Sequence, residues 1–288
     1  MPRLPLLLTG ITLAAAGVTA ALLVPREREQ DAREWGEEDE GERTPNPWFF
    51  LERAFPQGKI PLEAWREAQL AARDLKLAAP RSGSWVFRGP TNVGGRITDL
   101  AVDPRNSAVV YAAAAEGGVL RSTDSGQHWL PLFDEQTSLS VGAVALDPVN
   151  PDVVYAGTGE VNPGGGSVAY GGVGMLRSTN QGLSWSSIGL EEVGSIGRIR
   201  VDASNPSRIW VAAMGDLWSK DQDRGVYRTT DSGANWQRVF FLSDSTGCVD
   251  LVERPDQPNT LFAAMWERIR RPDHYQYGGI TCGVYKST

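Results

Sequence analysis

One eight-residue pattern, S/T-x-D/N-x-G-x-x-W, occurs three times: STDSGQHW at 122–129, STNQGLSW at 178–185 and TTDSGANW at 229–236. The intervals are 56 and 51 residues. Four fixed positions recurring at near-constant spacing require a repeated supersecondary unit. Upstream of each lies a related turn, DPRN at 103, DPVNP at 147 and DASNP at 202, with a looser RPDQPN at 254. Short β-rich runs follow these turns (VVYAAAA, VVYAGTG, RIWVAAM, TLFAAMW), and a second set precedes the boxes (GVLRS, GMLRS, GVYRT, GVYKS). Each unit reads strand, Asp/Asn-Pro turn, strand, loop, strand, tight turn, strand. Four strands in about 45 to 55 residues is the pattern of a propeller blade. The expected fold is therefore all-β, a β-propeller over 81–288 with three complete blades and a partial fourth. Their bounds are about 91–133, 138–189, 194–242 and 246–288.

Within each box, Asp124, Asn180 and Asp231 are placed to bond backbone amides across a hairpin turn. Gly126, Gly182 and Gly233 permit positive φ, and Trp129, Trp185 and Trp236 can pack over the turn. These are structural residues, and Asp124 is not read as a catalytic acid.

Composition matters mainly for what it excludes. The net charge is −7 and the pI about 5.0, with no basic cluster, which argues against a nucleic-acid partner because duplex affinity is supplied largely by Lys and Arg. Two His and two Cys, the latter 34 residues apart, are too few for a usual zinc site, so neither metal nor cofactor is expected. The acidity is concentrated: residues 25–43 hold four Arg and nine Asp or Glu, a net of −5. Such a run buries too little apolar surface to offset its ordering entropy, so 25–46 reads as a disordered linker.

Ahead of it, Leu4 to Val24 is 21 residues without a charge, preceded by Arg3. This is either a cleaved export signal, with Val18-Thr19-Ala20 as the cleavage site, or a retained anchor. Both place the remainder outside the cytoplasm, with any membrane contact confined to 4–24. Residues 47–80 form a lead-in. Within it Leu62, Trp65, Ala68, Ala72 and Leu75 fall at helical spacing between Pro61 and Pro80, predicting an amphipathic helix over 61–78 that docks on the propeller.

The boxes resemble the Asp-box (BNR) repeats of sialidase-like and sortilin-like propellers. WVFRGPTNVGGRITDLAVDP, VVYAGTGEVNP and the lead-in WFFLERAFPQGKIPLEAW resemble exported bacterial proteins grouped with the sortilin amino-terminal domain. The resemblance covers 47–288 and implies a larger multi-bladed propeller, hence a truncated fragment. SGSWVFRGP at 82–90 resembles a fourth strand with its Trp, which would allow closure as a four-bladed ring.

Strand direction separates two faces. The first turn of each blade and the box lie on one, and the loop between second and third strands lies on the other. Those loops lengthen after the first blade: GEVNPGGGSVAYGGVG at 159–174, GDLWSKDQDRG at 215–225 and ERIRRPDHYQYGGITCG at 267–283. Long loops on a rigid scaffold are where binding residues reside. The candidates are Glu160, Asn162, Tyr170, Asp216, Trp218, Trp266, Glu267, Arg268, His274, Tyr275 and Tyr277. Trp218 and Tyr275 can stack on sugars or clamp a peptide, while Asp216 and Arg268 direct hydrogen bonds.

Catalytic signatures of the related enzymes are missing. Xyloglucan-degrading propellers carry a catalytic Asp in a sequence similar to YARTDVGG, and YAAAAEGG aligns Ala115 with it, Glu116 being adjacent but directed to the other side of the strand. The Arg-Ile-Pro motif of sialidases is replaced by Gly95-Arg96-Ile97-Thr98. His128 sits in a box turn and GGGSVAYGG lacks the Lys-Ser/Thr of a phosphate loop. The expected function is an exported module that binds protein, peptide or glycan. The alternative is a glycoside hydrolase using Glu160, Asp216 and Glu267. Cys248 and Cys282, separated by an intervening strand, are expected to be unpaired at about 10 Å, beyond disulfide reach.

Overall fold

The computed structural model describes residues 47–78, 95–163, 170–254, 256–270 and 275–287. The chain divides into a unit 1–44 and a unit 45–288, and all of the described residues belong to the second. The apolar run 4–24, the acidic stretch 25–46, the segment 82–90 and His274 lie outside the described residues. Among those described, no helix is long and apolar enough to cross a membrane.

Two helices lead in, α1 (Pro47–Ala54) and α2 (Leu62–Ala78). The first has no counterpart in the sequence reading, because eight residues are too few for a clear helical period. Four antiparallel sheets follow, making a four-bladed β-propeller. They are β1 (Ile97–Val102), β2 (Val110–Ala114), β3 (Gly118–Ser122) and β4 (Leu130–Pro131); β5 (Val141–Leu146), β6 (Val154–Thr158), β7 (Met175–Ser178) and β8 (Ser186–Ser187); β9 (Ile196–Val201), β10 (Ile209–Ala213), β11 (Gly225–Thr229) and β12 (Gln237–Phe240); and β13 (Thr246–Arg254), β14 (Gln257–Arg270), β15 (Tyr275–Tyr277) and β16 (Gly283–Lys286). The first three pair in chain order. In the fourth, β14 lies between β13 and β16 and extends outward to pair with β15. Residues expected to form a loop at 267–283 thus begin as paired strands, with Arg268 opposite Tyr277 and Arg270 opposite Tyr275. The β-branched and aromatic residues Ile269, Tyr275 and Tyr277 favour that extended pairing.

Sheets pack face to face through their middle strands. All five residues of β6 and of β10 are buried, which explains runs as uniformly apolar as VYAGT and IWVAA. One core joins Tyr155 and Met175 of the second blade to Ile199 and Val211 of the third. Another joins Tyr111 and Val119 to Val144 and Val154, and a third joins Trp210 and Val226 to Leu251 and Met265. The innermost strands follow one another, β1 against β5, β5 against β9 and β9 against β13. Arg198 on β9 bonds both Asp99 on β1 and Asp250 on β13, each at 2.6 Å.

Each box is a hydrogen-bonded knot. In the third, the Thr229 hydroxyl donates to Asp231 Oδ1 at 2.7 Å and accepts from Gly233 N at 3.0 Å, while Asp231 Oδ1 also accepts from Asn235 N at 2.8 Å. Ser122 with Asp124 and Ser178 with Asn180 repeat the arrangement. Gly233 sits at φ +95°, and a Cβ there would lie 2.8 Å from Ile188.

The box tryptophans reach farther than their own turns. Trp185 Nε1 donates to Leu132 O at 3.0 Å and Trp236 Nε1 to Ile188 O at 2.6 Å, each in the segment that leaves the preceding blade. Trp129, on the first blade, donates instead to Gly126 O within its own box and is 40% exposed. Trp236→Phe should therefore cost about 2 to 3 kcal/mol, from a lost bond, an orphaned carbonyl and a smaller ring. Trp129→Phe should cost under about 1 kcal/mol. Denaturant unfolding of both variants checks the contrast; equal losses would contradict the inter-blade role.

Both thiols are free, Cys248 buried on β13 and Cys282 exposed before β16. Burial pushes the Cys248 thiol up to about 12. Titration of the native chain with a thiol reagent should count one reactive group, and two after unfolding.

Candidate functional site

The strand directions that put the boxes on one face put two sets of segments on the other: the loops between second and third strands, and the connectors between blades. The helices dock on this second face. Arg66 Nη1, on a buried side chain, donates to Glu192 Oε2 at 2.9 Å in the connector between the second and third blades. The Phe50 ring lies 6.0 Å from Trp218, and a Cβ on Gly171 would meet Leu62 Cδ1 at 2.6 Å.

Between α2 and the first two blades runs an open groove of about 380 Å³. Trp65, Gln69, Ala72 and Arg73 form its helical wall. Glu116 enters from the first blade, residues Asp134 to Ser140 from the connector, and Tyr170 from the second blade's loop. Glu116 occupies the turn after β2 and is exposed, so the turn, not the alternation of a strand, sets its direction. Its neighbour Ala115 is buried. Behind the groove, Arg96 forms a two-pronged ion pair with Glu160, its Nε 2.6 Å from Oε1. The Glu160 carboxylate is its main perturber, Glu116 adding a weaker pull, and together they raise the Arg96 pKa. Ser140 Oγ accepts from Glu160 N at 3.2 Å and Ser138 Oγ donates to Gly171 O at 3.2 Å, tying groove wall to loop.

The sequence candidates divide into groups. Tyr170, Asp216 and Trp218 line a space of only about 30 Å³ beneath the helices, with Trp65 and Tyr170 shared between it and the open groove. Asp216 is occupied locally, accepting from Trp218 N at 2.9 Å and from Ser219 Oγ at 2.7 Å. Asn162, Trp266, Arg268 and Tyr277 meet at the fourth blade. There Arg268 is buried, donates to Val161 O at 3.0 Å, Asn162 Oδ1 at 3.2 Å and Pro163 O at 2.8 Å, and lies 4.5 Å from the Trp266 ring and 4.9 Å from that of Tyr277. Burial lowers its pKa to about 10. Arg268 therefore clamps the second and fourth blades' loops rather than offering a hand to a ligand. Glu267 accepts from Gln276 Nε2 at 2.6 Å and Thr281 Oγ1 at 3.0 Å. The carboxylates of Glu160, Asp216 and Glu267 thus bond separate sets of partners. Tyr275 pairs through its backbone with Arg270.

Two carboxylates give opposite pH signatures. Desolvation raises Asp216 in the folded chain, so its contribution to stability falls as pH rises from its unfolded value near 4 toward the raised folded one. Hydrogen bonds, that of Asn235 first, hold Asp231 down to about 2, so its contribution is present above pH ~4 and lost as pH falls toward 2. Asp216→Asn keeps an acceptor for Trp218 N and should make the chain at least as stable at pH 7, with a flatter profile above pH ~4. Unfolding midpoints across pH 2–8 check this; a steeper profile above pH ~4 would contradict it.

The groove is also lined by the connector residues Asp134, Glu135, Ser138 and Ser140 and by the helical wall, none of which is among the sequence candidates. The strand-direction argument contained the signal, since the segment leaving each fourth strand must emerge beside the long loops. What fold and site define together is a β-propeller with a polar, carboxylate-rich groove on its loop face.

No family model matches the chain. It is similar to a xyloglucanase of Paenibacillus sp, 28% identical over 158 residues, which are 51% of this chain and 14% of that protein. Xyloglucanase Xgh74A of Acetivibrio thermocellus is 26% identical over 167 residues, covering 51% and 18% of the two chains. A xyloglucanase of Hypocrea jecorina is 25% identical over 214 residues, covering 68% and 24%. The chain thus spans under a quarter of the length of these relatives. Among solved structures, the Niastella koreensis GH74 enzyme is similar with TM-score 0.49 at 22% identity, covering 66% of this chain and 28% of that one. A YCF48 structure bound to a D1 peptide has TM-score 0.42 at 19% identity, covering 69% and 59%.

Proposed function

We propose that the chain is a glycan-directed propeller of the glycoside hydrolase kind, engaging a polysaccharide in the groove between α2 and the first two blades. The observation that carries this reading is the groove's lining: two aromatic side chains, amide and hydroxyl groups, and the carboxylates of Glu116, Asp134 and Glu135. Sugars present apolar C–H faces and rings of hydroxyls, and such a wall matches both. The relatives named xyloglucanase support a β-glucan as the substrate class. The Asp-box turns support a place near the sialidase-like and sortilin-like propellers, and the apolar run 4–24 supports export.

Hydrolysis of a glycosidic bond uses two carboxyl groups, one protonating the leaving oxygen and the other activating water or attacking the sugar. Glu116 stands one residue beyond the position of the catalytic Asp in xyloglucan-degrading propellers, and it is the acid/base candidate here. Asp134 and Glu135 are the candidates for its partner. Ala115 at the aligned position favours a second reading, in which the groove holds the glycan without cleaving it.

Xyloglucan hydrolysis and binding by the full chain and by Glu116→Gln, Asp134→Asn and Glu135→Gln separate the readings. The hydrolase reading expects Glu116→Gln to lose about 100-fold or more in rate while still binding. Binding without hydrolysis by the full chain supports the second reading. Absence of both overturns the glycan assignment.

A further inference from the structure

The first two blade interfaces end in the same way on the box face. The indole of the incoming box joins the shared core, Trp185 at the first interface and Trp236 at the second. Its Nε1 bonds the carbonyl three residues beyond the previous box tryptophan, Leu132 O at 3.0 Å or Ile188 O at 2.6 Å. The box glycine closes over the side chain of that same residue, since a Cβ on Gly182 would lie 2.6 Å from Leu132 and one on Gly233 2.8 Å from Ile188. At the first interface Arg121 of β3 also reaches the incoming box, donating to Gln181 O at 3.1 Å.

The third interface has the receiving half of this arrangement. Val239 stands three residues beyond Trp236, the place of Leu132 and Ile188, and is 42% exposed. Arg228 holds on β11 the position that Arg121 holds on β3. Among the described residues no box tryptophan joins the core between the third and fourth blades, whose partly buried fringe is Phe240, Leu242 and Tyr285. A cleft of about 430 Å³ runs there, lined by Val239 and Arg228 together with Trp210, Phe240, Leu261 and Tyr285. The strand β16 borders it. Where β3, β7 and β11 each pair with a fourth strand, β16 pairs among the described elements with β14 alone. An unpaired edge beside an apolar cleft favours strand addition, in which main-chain bonds supply affinity and the cleft selects a side chain.

We infer that this cleft is a binding site for an extended peptide of box type, Asp/Asn-x-Gly-x-x-Trp followed by a short strand. The peptide's indole enters the cleft with its N–H on Val239 O, and its glycine covers the Val239 side chain. Arg228 takes a carbonyl of its turn, and its strand pairs with β16. The cleft shares no lining residue with the groove at α2, so the inference stands apart from the glycan reading.

The probe is a synthetic peptide with the sequence of residues 231–240, DSGANWQRVF, titrated into the full chain by calorimetry and followed by hydrogen exchange. The expected result is one peptide bound per chain, with slower exchange at residues 283–286 and 239–240 of the protein. Trp236→Ala within the peptide should lose about tenfold or more in affinity. Val239→Glu in the protein should lose about as much, with exchange of the blades otherwise unchanged. No binding at about 1 mM peptide overturns the site, as does equal binding of the Trp236→Ala peptide. Protection elsewhere with residues 283–286 unaffected overturns it as well. Self-association of the chain through this edge, undisturbed by excess peptide, would give the cleft to a second copy and contradict the inference.

Discussion

The hydrogen-bond knot of the box turn sets the geometry on which the other features depend. A hydroxyl gives its proton to a carboxylate or amide oxygen two residues on and takes one from the glycine amide four residues on, so the turn between third and fourth strands has one available shape. Where another blade precedes it, as for Trp185 and Trp236, the indole carried by that turn reaches a carbonyl of the blade before. A local motif thereby becomes a long-range fastener. Blades so joined need little regular structure at their rims, and outer strands of only two residues, β4 and β8, suffice.

The fasteners occupy one face, and the long loops and connectors occupy the other. Loops and connectors there are held by side chains spent on internal work: Arg96 on Glu160, Arg268 on the second blade's loop, and Arg224 on the carbonyls of Asp216, Ser219, Ser245 and Arg268. Buried guanidinium groups bonded to carbonyls cost desolvation, and here burial lowers Arg224 below the usual arginine range. The return is a face whose loops have fixed positions, against which a helix from outside the repeats can define a groove.

The fold was legible because its signal is redundant: three boxes, four upstream turns and four apolar middle strands all specify one architecture. The candidate site was legible only in part. Direction of the strands located the face that carries the long loops and the groove, and Tyr170 lines that groove. Aromatic and charged residues of the loops read as ligand contacts, but Arg268 and Asp216 are engaged within the protein, since a lone sequence cannot say which polar side chains a loop needs to hold its own backbone. Glu116 was set aside on strand alternation, an argument that fails once β2 ends at Ala114 and a turn begins. Trp65 reads in sequence only as part of an apolar stripe. Whether a stripe residue packs against a neighbour or stands at the edge of a cleft depends on where the helix docks, which its own period does not contain.

The central claim is that a glycan lies on the loop face, between α2 and the first two blades. A structure of the full chain bound to a xyloglucan oligosaccharide tests it most directly. The account predicts sugar in the groove with one ring against Trp65 and the chain passing Glu116. Sugar seated instead on the box face, or at Trp266 and Tyr277 with the groove empty, would contradict it.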